Sequence, residues 1–250
     1  MTKSRLRSVH GIWANESGLA LLEFAFGAPI LLLAGGYGIE ISQYALTQLE
    51  VSQYALHLAD NASRVGVVAS NGVSTLRETD INDILQATVV EGKRLKLTTN
   101  GRVTLSSLEN VTQLYDSTRK QRIHWQRCTG VMAGAGFDTA VTSTTAGAPA
   151  PAGYTASDTD PYAGKVVANI GPTTAPITAP QDSGVMYVEI NYQYKPLFGS
   201  YFMTPTTIKY TASFIVRDNR DFSKVTNPSP TATASTCNLH TAGPATINAY

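Results

Sequence analysis

The hydrophobic pattern of the chain changes most sharply near its N-terminus. The 21 residues from Leu19 to Ile39 contain one ionisable side chain, Glu23. About 20 apolar residues in a helix suffice to cross the hydrocarbon layer of a bilayer, so the pattern predicts a transmembrane helix at residues 19–41. An acidic side chain costs roughly 2.5 to 3.5 kcal/mol at the centre of such a helix and less toward its ends. The Glu23 carboxylate therefore either has a cation nearby or lies close enough to the membrane surface for its own side chain to reach the lipid headgroups.

The helical pattern continues beyond this apolar run. No proline or glycine occurs between Ile41 and Val65, and the apolar residues recur at the spacing of helical faces. One stripe contains Ile41, Ala45, Leu49, Leu56 and Ala59, and a second contains Tyr44, Val51, Ala55, Leu58, Ala62 and Val65. Two stripes predict that both sides of this segment are covered. We expect one helix over residues 19–68, roughly 75 Å long at 1.5 Å per residue, whose extension at residues 42–69 packs on a globular head.

Alternating apolar and polar residues predict antiparallel strands in the rest of the chain. The clearest strands are residues 185–197 and 207–216, and the connector between them suits an antiparallel return. On the first strand we expect Met186, Val188, Ile190, Tyr192 and Tyr194 to face the long helix. Weaker strands at residues 102–107 and 120–127 and a short helix at residues 80–90 complete an α+β head. The head is placed at residues 70–217.

Two segments lack these periodic patterns. Residues 130–182 are rich in Ala, Thr, Gly, Ser and Pro, which predicts a loop-rich insertion without a core of its own. Residues 218–250 are expected to form an exposed tail, held at most by Cys237. If this part of the chain is exported, Cys237 can pair with Cys128, a link worth about 4 to 5 kcal/mol on the chain-entropy model. The alternative is two free thiols.

The distribution of charge predicts the orientation of the anchor. The net charge is +1 with no long basic block, so nucleic acid is not expected as a partner. Residues 1–18 form a leader with three basic side chains and His10, whereas no Lys or Arg follows the apolar run until Arg64. The positive-inside rule therefore places the leader in the cytoplasm and the head across the membrane. A secretory signal peptide cut near Ala34-Gly35-Gly36 is the competing interpretation.

The residues around Glu23 resemble the processing site of type IV pilin-like precursors. Gly18 is followed by four small or apolar residues and then by Glu23 and Phe24, which is most similar to the TadE/TadG-like pseudopilins of the tight-adherence (Tad) pilus system. The resemblance implies that a prepilin peptidase cuts between Gly18 and Leu19. The new amine at Leu19 would then form an ion pair with Glu23 in a medium of low dielectric. The alternative is that Gly18 is an ordinary loop residue before the helix and that Glu23 lies near the membrane surface.

Further residues extend this resemblance or limit it. The segment Tyr192-x-Tyr194-Lys-Pro-Leu-Phe, followed by a strand that ends in Val216-Arg217, is similar to the C-terminal half of the family. The Asp-x-Ser-x-Ser motif of large TadG-like members is absent from the sequence, which favours the TadE-like side. Within the span, Phe24 and the small pair Ala34 and Gly38 are candidates for helix packing. The small pair alone would suit any single-pass protein that dimerises.

The sequence contains no recognisable catalytic, metal or cofactor motif. The four histidines lie far apart at positions 10, 57, 124 and 240, with no Cys-x-x-Cys and no nucleophile elbow, so we expect neither an enzyme nor a metal or cofactor site. His124 is expected to be a strand residue that is satisfied locally.

The expected function is structural. The chain would be a minor pilin or pseudopilin of the bacterial inner membrane, used in Tad-type pilus assembly or incorporated in an extracellular pilus. Its partners would be the prepilin peptidase, other pilin-like subunits, Tad assembly proteins and membrane lipid. The alternatives are a single-pass protein with a periplasmic binding domain that never enters a fibre, and a secreted hydrolase with an unusual leader.

Overall fold

The fold is described by a computed structural model that covers residues 17–138 and 164–245. Over these residues the class is α+β with a long N-terminal apolar helix and antiparallel sheets, as the sequence predicts. The helices are α1 (Ser17–Arg64), α2 (Glu78–Glu91) and α3 (Leu97–Asn100), with a 3-10 turn at Gly199–Tyr201. The strands are β1 (Val67–Val68), β2 (Ser74–Arg77), β3 (Gly101–Val111), β4 (Lys120–Thr129), β5 (Lys165–Val166), β6 (Gly184–Tyr194), β7 (Thr206–Ile215) and β8 (Arg220–Thr226).

The described residues form two compact units. The first contains residues 17–45 and 195–204, and the second contains residues 46–138, 164–194 and 205–245. Helix α1 therefore begins in the first unit and ends in the second. The loop between β6 and β7 belongs to the first unit, although both strands belong to the second.

The second unit is built on a five-stranded sheet in the order β5-β4-β3-β6-β7, in which every neighbouring pair is antiparallel. The β6–β7 ladder runs from Val185–Ile215 to Tyr194–Thr206, so the predicted antiparallel return is present. A smaller sheet has the order β1-β2-β8, with β2 and β8 parallel. The two sheets share no strand.

Both faces of strand β6 are buried, whereas the sequence predicted that one face packs against the long helix. Val188 and Ile190 are buried as expected, but so are Val185 and Tyr187 on the opposite face. Part of the loop-rich insertion covers that second face, because Ile170 and Ala179 pack in one cluster with Val185 and Tyr187. This burial, together with the charge of Glu189, raises the pKa of Tyr187 from 10.0 to about 12.

Helix α1 ends at Arg64, four residues before the predicted end at Val68. Gly66 has φ +155°, and Val67 and Val68 then form β1. The buried guanidinium of Arg220 donates hydrogen bonds to the carbonyls of Ala62, Ser63 and Val65 at 3.2, 3.2 and 2.7 Å. A cation at a helix C-terminus satisfies carbonyls that have no partner inside the helix. The end of α1 is thus fixed by a residue more than 150 positions away in sequence.

One apolar stripe of α1 is buried in the second unit, and the other is largely exposed. Val51, Ala55, Leu58 and Ala62 are at most 1% exposed. Of the other stripe Ala59 is buried, but Ile41, Leu49 and Leu56 are 41 to 54% exposed. The expectation that both sides of this segment are covered is therefore wrong for the described chain.

The C-terminal segment is not the exposed tail that we expected. Residues 220–226 form β8, and Ala232 and Ser235 are buried. Arg102, itself 1% exposed, donates to the carbonyls of Cys237 and Leu239, and burial lowers the pKa of Arg102. The segment is held by hydrogen bonds to side chains and backbone of the sheet as well as by Cys237. Residues 246–250 lie outside the described chain.

Two further arginines are fully buried in ion pairs. Arg127 on β4 pairs with Glu78 at the start of α2, and both side chains are inaccessible to solvent. Arg122, also on β4, donates to both carboxylate oxygens of Asp116 at 2.5 and 2.6 Å. Charges buried in this way are tolerated only when they are paired and hydrogen-bonded, so each pair fixes the position of the element that carries its partner.

Candidate functional site: the apolar helix and the loop at its end

The N-terminal half of α1 is an apolar helix that is exposed over most of its surface. Leu19, Phe24 and Leu32 are 68, 72 and 75% exposed, and other large apolar side chains of this half are exposed to a similar degree. In the described part of the chain, α1 is the one helix long and apolar enough to cross a membrane, and none of its most apolar window is buried. Pro29 lies inside this helix without ending it.

The residues of the predicted processing site lie in the first two turns of α1. Gly18 and Leu19 are exposed in the first turn, and Glu23 is exposed one turn further. Among the described residues, none forms a hydrogen bond or an ion pair with the Glu23 carboxylate. The leader residues 1–16 lie outside the described chain. Glu23 is thus an exposed acid on an apolar helix, and no cation of the described residues lies beside it.

The predicted helix-packing residues are exposed as well. Phe24, Ala34 and Gly38 are all exposed, and a Cβ atom added at Gly38 would meet no described atom within 4 Å. Gly36 behaves differently, because a Cβ atom there would lie 3.0 Å from two ring atoms of Phe202. Within the apolar run, Gly36 rather than Gly38 is therefore the glycine against which an aromatic ring packs.

A buried carboxylate marks the end of the apolar run. Glu40 is fully buried, and its two oxygens accept hydrogen bonds from the backbone N–H groups of Leu197 and Phe198, each at 3.1 Å. Burial of a carboxylate is costly unless hydrogen bonds replace those of water, and bonds to an ionised acceptor are among the strong ones. Glu40 therefore fixes the β6–β7 loop to α1 through the loop backbone, whatever the side chains at positions 197 and 198.

Aromatic rings complete this contact. We call residues 195–204 the aromatic loop. The Phe202 ring lies 6.2 Å from the Tyr37 ring and 5.6 Å from the Phe198 ring, the second pair edge to face. Pairs at these separations are in the favourable range for aromatic side chains. The rings hold one side of the loop against α1, while Tyr201 and Leu197 on the loop remain 93 and 63% exposed.

Sequence reasoning missed Glu40 and the aromatic loop as a contact pair. Two features of the sequence point toward it. Glu40 is an acid directly after an apolar run, where a carboxylate needs a partner. The loop begins directly after strand β6 and brings apolar and aromatic residues together at Leu197 and Phe198. The pairing itself joins residues that are 157 and 158 positions apart, which local periodicity does not predict.

The second unit contains the predicted cysteine pair and the histidine that sequence reasoning considered. Cys128 and Cys237 form a disulfide. His124 lies on β4 with its Nδ1 atom 3.2 Å from Glu109, a buried carboxylate that also accepts a hydrogen bond from Gln113. Over residues 17–138 and 164–245, no three His, Cys, Asp or Glu side chains are placed to hold a metal ion.

Comparisons with known proteins give no relative. No protein-family model, no curated protein and no solved structure matches the chain.

Proposed function

We propose that this chain is a minor pilin or pseudopilin of a Tad-type pilus system, anchored in the bacterial inner membrane by residues 19–41. The observation that carries the proposal is a largely exposed apolar helix with Gly18-Leu19 in its first turn and, one turn later, Glu23, which has no partner among the described residues. Burial of one Leu or Phe side chain is worth about 1.5 to 3 kcal/mol. A helix with this many exposed apolar side chains is therefore stable in lipid or among other apolar helices rather than in water.

The charges and the disulfide support a periplasmic head. Lys3, Arg5 and Arg7 precede the span, and α1 contains no basic residue before Arg64, so the leader stays in the cytoplasm. The disulfide between Cys128 and Cys237 suits an oxidising compartment such as the periplasm. Both observations favour the same orientation independently.

The buried stripe of α1 supports a pilin-like arrangement. Val51, Ala55, Leu58 and Ala62 lie at helical spacing and are at most 1% exposed, so the second half of the helix is part of the core of its unit. A helix whose first half is apolar and bare and whose second half is packed in a head is the arrangement that the family resemblance implies.

Cleavage after Gly18 would complete the site. The new α-amino group of Leu19 would lie four residues before Glu23, which is one helical turn, and opposite charges at this spacing lie on the same face of a helix. The pair could form within one subunit or between neighbours in the membrane. The partners are then the prepilin peptidase, other pilin-like subunits and Tad assembly proteins.

The experiment compares the mass of the protein from cells with and without the prepilin peptidase. Loss of residues 1–18 that requires the enzyme is expected, and Gly18→Leu should block it. Gly27→Leu is the matched control, because an added Cβ at either glycine would meet no described atom within 4 Å, so the two sites are equally open in the described chain. If the protein is uncut in both strains, the proposal is wrong, and the chain is better explained as a single-pass membrane protein that does not enter a fibre.

Glu23→Ala separates assembly from processing. The substitution should impair incorporation into fibres more than it impairs cleavage, because it removes the partner of an amine that exists only after the cut. Normal fibres from the Glu23→Ala variant would contradict the ion pair, and unchanged processing would show that the peptidase site itself is intact.

A further inference from the structure

We propose that the aromatic loop binds the surface of the bilayer that α1 crosses, so that the chain contacts lipid through a second element besides its spanning helix. This inference rests on the proposed membrane anchorage of α1. It concerns residues 195–204, which form one compact unit with residues 17–45.

The contacts of the loop place it at one end of the apolar run. Phe202 lies against Gly36 and Tyr37, and the backbone at Leu197 and Phe198 is bonded to Glu40. The apolar run extends from Leu19 to Ile39. The loop is therefore held at the last apolar turn of α1, which is where a spanning helix passes from hydrocarbon to headgroups.

The side chains that the loop exposes suit that depth. Leu197, Phe198 and Tyr201 are 63, 39 and 93% exposed, and Lys195 is exposed beside them. Aromatic rings with a polar tip are enriched where membrane meets water, and apolar side chains at this level enter the boundary between headgroups and acyl chains. The loop contains one basic residue, Lys195, and no acidic residue of its own, but the buried Glu40 carboxylate is bonded to its backbone, so the exposed apolar and aromatic side chains supply the attraction to the bilayer.

The loop is also fixed to the helix rather than free to fold back. Its backbone is bonded twice to a fully buried carboxylate, and Phe202 packs against Gly36, where no larger side chain fits without displacing the ring. While Phe202 is held against the helix, Tyr201 and Leu197 on the same loop remain exposed. Continuity with the apolar surface of α1 identifies lipid as the occupant.

Spin labels on single added cysteines test the proposal in the full chain. The native cysteines are joined in a disulfide, so without reductant only the added cysteine is labelled. Three variants are prepared in vesicles of phosphatidylethanolamine and phosphatidylglycerol in equal parts: Tyr201→Cys in the loop, Leu32→Cys in the apolar helix and Leu114→Cys as a control. Leu114 is as exposed as Tyr201, at 98%, but lies outside the unit that contains the loop. The measured quantity is the collision rate with oxygen relative to that with a water-soluble nickel complex.

The ratio should be severalfold higher at Tyr201 than at Leu114, and lower than at Leu32, which lies deeper in the span. A high ratio at Leu32 with a ratio at Tyr201 equal to that at Leu114 overturns the loop proposal and leaves the anchor intact. A label at Tyr201 shielded from both reagents overturns it as well, because a protein surface then covers the loop. Equal, water-like ratios at all three positions overturn both the anchorage and the loop proposal.

Discussion

Removal of the Glu40 carboxylate should release the aromatic loop from α1. Glu40→Ala leaves two backbone N–H groups, at Leu197 and Phe198, without their acceptor. A hydrogen bond to a charged group contributes about 1.5 to 3 kcal/mol, so two such bonds set an upper limit of about 3 to 6 kcal/mol. The loop is exposed, and water can replace part of this as it opens. We expect a local loss of about 2 to 3 kcal/mol, which is roughly a 30- to 150-fold rise in the equilibrium for opening.

Amide hydrogen exchange of residues 195–204 measures this opening directly, because protection of a backbone N–H reports the local free energy of exposing it. Glu23→Ala is the matched control, since it removes an acid from the same helix that no described residue contacts. The control should leave exchange in the loop unchanged. Equal protection of Leu197 and Phe198 in the wild type and in Glu40→Ala would refute the role assigned to the carboxylate.

Three predictions concern the head. Glu78→Ala should lower the free energy of unfolding by about 3 to 5 kcal/mol, because it leaves the fully buried Arg127 without its partner. Replacement of Cys128 and Cys237 by serine should lower it by about 4 to 5 kcal/mol, since the disulfide closes a loop with a sequence separation of 109. The pKa of Tyr187 is raised from 10.0 to about 12, so the folded state holds the phenol proton more tightly than the unfolded state does. This stabilisation is complete below pH 10, and the free energy of unfolding should fall by about 2 kcal/mol as the pH rises from 10 to 12. The Tyr187→Phe variant should not show this fall.

Denaturant titration checks these three predictions, each against a matched control. Arg64→Ala breaks an exposed ion pair with Asp60 and should lower the free energy of unfolding by at most about 1 kcal/mol. If Glu78→Ala lowers it by no more than this, burial does not strengthen the Arg127–Glu78 pair. Reduction of the wild-type disulfide should reproduce the serine variant, and a stable reduced protein would contradict the loop-closure argument. Tyr210→Phe, at a half-exposed tyrosine on β7, should keep the wild-type dependence on pH, whereas a flat profile in the wild type would exclude the effect of Tyr187.

Local pattern predicted the parts of the fold whose contacts are local or regular. The apolar run predicted the first half of α1, and the alternation of apolar and polar residues predicted β6, β7 and their antiparallel pairing. The end of α1 did not follow from its own sequence, because Arg220 supplies hydrogen bonds to its last carbonyls from a distant part of the chain. Strand β8 was missed for a related reason, since its pairing partner β2 is short and distant.

Burial was predicted less well than secondary structure. The sequence pattern shows which surface of a helix or strand is apolar, but it does not show which other segment packs on that surface. Leu49 and Leu56 belong to an apolar stripe that the described chain leaves exposed, and Tyr187 lies on the more polar face of β6 but is covered by the segment that contains Ile170. The contacts of Glu40 could not be predicted, because its partners are backbone N–H groups, which exist at every residue except proline and carry no sequence pattern.

The N-terminus of the protein isolated from piliated cells tests the central proposal most directly. N-terminal sequencing should show that the protein begins at Leu19 in cells with the prepilin peptidase and at Met1 in cells without it. A protein from piliated cells that still begins at Met1, or one that begins near Tyr37 after cleavage by a signal peptidase, would contradict the assignment as a Tad-type pseudopilin.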